Sequence, residues 1–291
     1  MENEQLEAME ACLPSWLERY AFYEEDRARA YDAVSPQVRA RLKKTVARLH
    51  SIYGTRPRQH ELRQVFDAFT FRCFRSPVPC TFVCLPEKYP FPQCFMAALV
   101  PPLLAGVGLV VPFFINAEGE ISVPREAGGT VPDIACALAP VAAGPTEAQN
   151  ALLAALDLAG LERAFRLPAS ECLDGIAEFF SCLPPVLSGN GESAFGRGPA
   201  MSFGGVGRIV LLGSFAGWEA IALFAARHGI PCAVLTDEPS LAPVEGAEQA
   251  AHALPFALQP LLDAENREIW LWPHLEPEFF LTNRVYIGKP E

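Results

Sequence analysis

Gly213-Ser214-Phe215-Ala216-Gly217 is the stretch of this sequence whose residue types and spacing point most directly to chemistry. It stands between an apolar run, Arg208-Ile209-Val210-Leu211-Leu212, and a helical pattern from Gly217 to Arg227 that Gly229 stops. A glycine-bearing turn between a strand and a helix lets the backbone approach a ligand closely. The start of the helix offers N–H groups and the positive end of the helix dipole to a phosphate. Ser214 adds a hydroxyl. Asp237 and Glu238 follow the next apolar run, Pro231 to Thr236, and lie 24 and 25 residues after Gly213. That is about the distance at which an acid meets a ribose in dinucleotide-binding units. The turn is not G-x-G-x-x-G, because Phe215 stands where the second glycine would be, so an ordinary strand-to-helix turn is the competing reading.

The elements that must position these residues follow from periodicity. Cys80-Thr81-Phe82-Val83-Cys84-Leu85, Gly108-Leu109-Val110-Val111, Arg208–Leu212 and Pro231–Thr236 are short apolar runs of the kind buried on both faces of a parallel sheet. Helical patterns separate them, notably Ala148–Leu158 with Gly160 beyond its end. Strand, helix and strand in that order imply right-handed βαβ units. The expected fold is therefore α/β, a Rossmann-like parallel sheet with flanking helices, preceded by an all-helical N-terminal segment. The boundary falls near Ser76-Pro77, giving a helical region 1–75 and an α/β nucleotide-binding domain 76–291 with an aromatic C-terminal tail. In the first region Leu13, Trp16, Leu17, Tyr20 and Tyr23 recur at helical spacing, and Ser35-Pro36 and Gly54 bracket another helix. A further helix is expected with Leu62, Val65, Phe66 and Phe69 on its buried side. Phe95–Ala105 can be helical only with a kink or a new turn at Pro101-Pro102. Gly189–Gly207, rich in Gly and Ser, reads as a long loop.

Composition narrows the function classes. The chain has 291 residues, 51% hydrophobic and 10% aromatic, enough for a sizeable core of one large or two ordinary domains. The formal net charge of −11 excludes nucleic acid as a main partner, since phosphate neutralisation needs clustered cations. Arg39-Ala40-Arg41-Leu42-Lys43-Lys44 lacks interleaved aromatics and reads as a solvated helix face. Tyr89–Ala117 carries no charge, but Pro101, Pro102, Pro112, Gly106 and Gly108 punctuate it, so a helix and a buried strand are expected rather than a membrane span. Nine cysteines without CxxC spacing fit reduced thiols, and the acidic start lacks the basic region of a signal peptide, so a cytoplasmic location is expected. Cys80 and Cys84, about 13 Å apart on one strand face, read as core thiols.

Several blocks together resemble the aldehyde dehydrogenase superfamily and its histidinol dehydrogenase branch. Pro86-Glu87-Lys88-Tyr89-Pro90-Phe91 is similar to that family's "PWNYPF" turn. Pro101-Pro102-Leu103-Leu104-Ala105-Gly106-Val107-Gly108-Leu109-Val110-Val111 resembles "PALAAGNTVVLKP". Ala148–Phe165, with Leu158-Ala159-Gly160-Leu161, resembles the helix ending in "AGLP", and Gly213-Ser214 resembles "FTGS…G". The resemblance implies the cofactor-binding half of such an enzyme, with NAD or NADP beside the helix that follows Gly213, and a dimer or a partner subunit. The departures are specific. Lys88 replaces the family's oxyanion Asn, where it could bind an anion or simply face solvent, and Pro112 replaces the ribose-binding Lys. About 50 residues follow Glu238 and include no Cys, so the half that carries the thiol nucleophile has no counterpart. Cys94 follows the first block and is a candidate reactive thiol. Gln249-Ala250-Ala251-His252 resembles the "QAEH" of the histidinol dehydrogenase branch, which implies zinc held by Gln249 and His252, with His274, Asp263 and Glu276 as further candidates. Trp270, Trp272, Phe279 and Phe280 form either a dimer surface or part of the chain's own core.

Three functions follow as expectations. The first is a small phosphate-bearing ligand, a dinucleotide above all, held without thiol-based aldehyde oxidation. The second is a non-catalytic remnant of the fold serving interaction or assembly. The third is a zinc-dependent enzyme of the histidinol dehydrogenase kind.

Overall fold

A computed structural model describes residues 2–54, 60–66, 70–89, 91–116, 147–183, 207–235, 254–256, 272 and 275–288. The chain opens with three helices, α1 (Glu2–Glu10), α2 (Glu24–Ala33) and α3 (Pro36–Tyr53), and a short 3-10 helix at Ser15–Tyr20. The start of α3 is fixed as the sequence dictates: the Ser35 hydroxyl accepts from the Val38 N–H at 3.3 Å, and Pro36 opens the first turn. Arg41, Lys43 and Lys44 are exposed on it, as a solvated face requires.

A hairpin follows, β1 (His60–Val65) and β2 (Thr70–Pro77), where the leucine, valine and phenylalanine spacing had favoured a helix. Leu62, Val65 and Phe66 are 41%, 62% and 45% exposed, so no helical face is buried there. The cause is non-local. β2 pairs along its whole length with β9 (Leu281–Gly288), from the far end of the chain, in register from Thr70 opposite Gly288 to Pro77 opposite Leu281. A ladder of eight residue pairs outweighs a local periodicity.

The α/β part contains β3 (Cys80–Pro86), α4 (Pro92–Ala105), β4 (Leu109–Asn116), α5 (Glu147–Ala159), β5 (Phe165–Pro168), α6 (Ala169–Cys182), β6 (Gly207–Leu212), α7 (Trp218–Arg227), β7 (Cys232–Leu235) and β8 (Leu254–Phe256). The six strands form one parallel sheet in the order β5-β4-β3-β6-β7-β8. This is the doubly wound order, running outward in both directions from the β3/β6 pair. Val83, Leu85, Val110, Phe114, Val210 and Leu212 pack on one face with α3, α4 and α5. Phe82, Cys84, Phe113, Ile209 and Leu211 pack on the other with α6 and α7, where the Phe82 and Phe179 rings meet edge-on at 5.0 Å. α4 runs on without a break through Pro101 and Pro102. It is buried nearly all round, and tertiary packing carries it where two backbone donors are missing.

The C-terminal stretch closes the chain's own core. Trp272 is 2% exposed and its Nε1 donates to the Cys94 carbonyl at 2.9 Å, while Phe280 is fully buried. Trp270 lies outside the described residues. Among the described residues no helix is long and apolar enough to cross a membrane.

Candidate functional site at the carboxyl ends of the strands

The strand order itself selects one place. β3 and β6 are neighbours, yet the helices that follow them, α4 and α7, lie on opposite faces of the sheet. The loops leaving their carboxyl ends therefore diverge and open a crevice, where ligands of doubly wound sheets sit. The two turns at this crevice are Pro86–Tyr89 and Gly213–Gly217, which the sequence marks as candidates. Gly213, Ser214, Gly217 and Lys88 thus come to one edge of the molecule. Asp237, Glu238, Gln249, His252, Asp263 and His274 lie outside the described residues, and Glu276 precedes a 3-10 turn at Pro277–Phe280.

The turn geometry explains the glycines. Gly213 has φ +72°, its N–H donates to the Leu235 carbonyl at 2.8 Å, and a Cβ there would lie 3.1 Å from the Tyr89 ring. Gly217, at φ +86°, caps α7, and its carbonyl accepts from the Ile221 N–H at 3.2 Å. Both are left-handed conformations that L side chains rarely adopt. Ser214 and Lys88 are exposed, while Tyr89 is 2% exposed and its N–H donates to the Pro86 carbonyl at 3.0 Å.

The donor set fits a phosphate: a helix start, a hydroxyl and an ammonium. Two features work against it. Glu219 sits exposed in the first turn of α7, where its carboxylate favours the helix dipole and opposes an incoming anion. The buried Tyr89 ring packs closely against the backbone at Gly213, where a ligand phosphate would approach.

Next to this turn lies a polar cluster that the sequence did not reveal. Glu87, at the end of β3, is 7% exposed. Its Oε1 is paired with Arg166 of β5 and accepts from Gln149 Nε2 of α5 at 2.8 Å. Arg166 Nε also donates to Asn116 Oδ1, at the end of β4, at 3.4 Å. Asn116 is 2% exposed, and its Nδ2 has no acceptor among the described residues. One salient sign in the sequence was the polar residue set into each apolar strand, Arg166 between Phe165 and Leu167 and Asn116 after Phe113-Phe114-Ile115.

The core thiols are placed differently from a reactive set. Cys94 is fully buried in α4, so it is not an accessible nucleophile. Burial pushes the Cys80 and Cys232 thiols far up, and the Cys84 thiol is raised by burial and by Cys172 beside it. Among the described residues no group of three or more His, Cys, Asp and Glu gathers as a metal site.

No family model and no curated protein matches the chain. Solved structures similar to it include histidinol dehydrogenase from Elizabethkingia anophelis, at 12% identity and a TM-score of 0.36, over 81% of this chain and 56% of that one. Lactaldehyde dehydrogenase from Escherichia coli is similar at 13% identity and a TM-score of 0.36, over 80% and 41%. Betaine aldehyde dehydrogenase from Staphylococcus aureus, solved in complex with NAD+, is similar at 11% identity and a TM-score of 0.36, over 80% and 41%. The chain spans about half the length, or less, of these structures.

Proposed function

We propose that this chain is a nucleotide-binding α/β module that takes NAD, NADP or another phosphate-bearing ligand in the crevice between β3 and β6. The observation that carries this reading is the doubly wound strand order, which makes the Pro86–Tyr89 and Gly213–Gly217 turns neighbours at the switch point. In this reading the backbone at Gly213 and Gly217 admits the phosphate, Ser214 donates its hydroxyl and Lys88 supplies the charge. Asp237 and Glu238 take the ribose hydroxyls. No thiol step is assigned to it.

The test is calorimetric titration and thermal shift of the purified chain with NAD, NADP and inorganic pyrophosphate. A ligand at a hundred times its Kd stabilises the native state by about 2.7 kcal/mol, a readily measured shift. Ser214→Asp places a second carboxylate at the helix start on an exposed position, so the fold survives while affinity falls tenfold or more, about 1.4 kcal/mol. Wild-type protein that binds none of the three ligands would sink the reading.

That outcome would favour the second reading, an interaction module, for which the Tyr89 ring against Gly213 and Glu219 at the start of α7 are the specific observations. Its expected counterpart is a stable homo-dimer or a complex with a partner subunit in sedimentation.

A further inference from the structure

The N-terminal segment runs antiparallel along one stripe of α6. Cys12 Sγ lies 3.6 Å from the Cys182 carbonyl oxygen. Trp16 Nε1 donates to Glu178 Oε2 at 2.9 Å, and the side chains of Trp16 and Leu17 cover Gly175. Arg19 donates to Glu171 at 3.1 Å. Residues 171, 175, 178 and 182 follow one another at steps of four, three and four, so they line a single side of the helix. The strap is thus held in register at four successive points, and at its end two cysteines come together from positions 170 residues apart.

The two thiols are also accessible where most of the described thiols are not. Cys80, Cys84, Cys94, Cys172 and Cys232 are buried, whereas Cys182 is exposed and Cys12, like Cys73 of β2, is half-buried. Both lie at helix ends: Cys12 two residues past α1, and Cys182 the last residue of α6. Backbone at such ends adjusts more easily than a helix interior, which a disulfide of correct geometry requires.

We propose that Cys12 and Cys182 are a modification site, joined as a disulfide that clasps the N-terminal strap to α6 when a small-molecule disulfide such as oxidised glutathione is present. The exposed Cys182 loses its proton, and the thiolate attacks one sulfur of glutathione disulfide, breaking the S–S bond and releasing one glutathione thiolate, which takes up a proton. Cys12, the less exposed thiol and so the resolving one, then loses its proton and attacks the Cys182 sulfur. The protein disulfide forms and the second glutathione leaves as thiolate and is protonated. Two protein thiols are oxidised and one glutathione disulfide is reduced to two thiols.

The test is peptide mapping of the full chain after incubation with oxidised glutathione, digested with trypsin under non-reducing conditions. The expected product links the peptide 1–19 to the peptide 167–197, and dithiothreitol removes it. Because the second peptide also carries Cys172, the Cys182→Ser and Cys172→Ser variants decide the partner: the link is lost in the first and kept in the second. Both Cys12 and Cys182 become unreactive to maleimide in the oxidised wild type. Glutathione adducts on Cys182 without any cross-link, or a link that survives Cys182→Ser, would overturn the proposal.

Discussion

Arg208 shows how much one side chain can hold. It sits second in the buried strand β6, 6% exposed, and its guanidinium donates to three backbone carbonyls: Phe279 at 2.7 Å, Leu281 at 2.9 Å and Gly207 at 3.0 Å. The Phe279 ring lies 5.7 Å from it. These bonds fix the point where the chain leaves the core and becomes β9, and burial lowers the guanidinium to about 10. Arg208→Met should therefore destabilise by about 3 kcal/mol in urea unfolding, since the Phe279 and Leu281 carbonyls of the returning chain lose a charged donor. Arg208→Lys should recover little of it, because an ammonium cannot fork to both. A loss below about 1 kcal/mol would show that the C-terminal return is held elsewhere. At this scale the sequence was legible where a residue acts on its own neighbours. The Ser35 cap and the glycines of the 213–217 turn could be read from adjacent positions. Arg208 and the Glu87–Arg166 pair could not, because their partners are set by which strands become neighbours.

At the scale of elements, what was read well was what repeats locally. β3, β6, α5 and α7 lie close to where apolar runs and helical spacing put them. β5 and α6 carry no such local signal. Phe165–Pro168 is a strand of four residues, too short to carry an alternation, and α6 opens after a proline with no side-chain cap. The hairpin 60–77 is not legible locally because its partner, β9, begins at residue 281. α6 also shows why a helix can carry glycine in its interior. A Cβ at Gly175 would lie 3.4 Å from the Trp16 ring and 3.5 Å from Leu17, so the gap admits the strap. Gly175→Leu should force the strap off the helix and cost about 1–3 kcal/mol, even though leucine is the better helix former. The same variant should raise the rate at which Cys12 reacts with a maleimide. A more stable variant with unchanged labelling would mean that the strap does not pack as described.

For the whole molecule, composition and the βαβ rhythm were enough for the fold class, but the order of strands was not in them. Order decides which loops face each other, so the crevice between β3 and β6 appears only once the sheet is assembled. The assembled sheet also stores a pH dependence. Cys80, Cys84 and Cys232 are buried on the face that packs with α6 and α7, and each is held protonated well above its ordinary value near 9. In the unfolded chain the same thiols ionise as soon as pH passes that value. The unfolded state then binds fewer protons than the folded one, so stability is complete below about pH 9 and is lost as pH rises. Each thiol contributes a slope of up to about 1.4 kcal/mol per pH unit. Arg208 acts in the opposite sense, but only above its lowered value of about 10, which leaves a window between pH 9 and 10 where the thiols dominate. Urea midpoints measured across that window under reducing conditions should fall steeply, and Cys84→Ala should flatten the fall by about one third. A slope indifferent to Cys84 would mean that this thiol is open to solvent, and with it the face of the sheet that α6 and its strap are described as sealing.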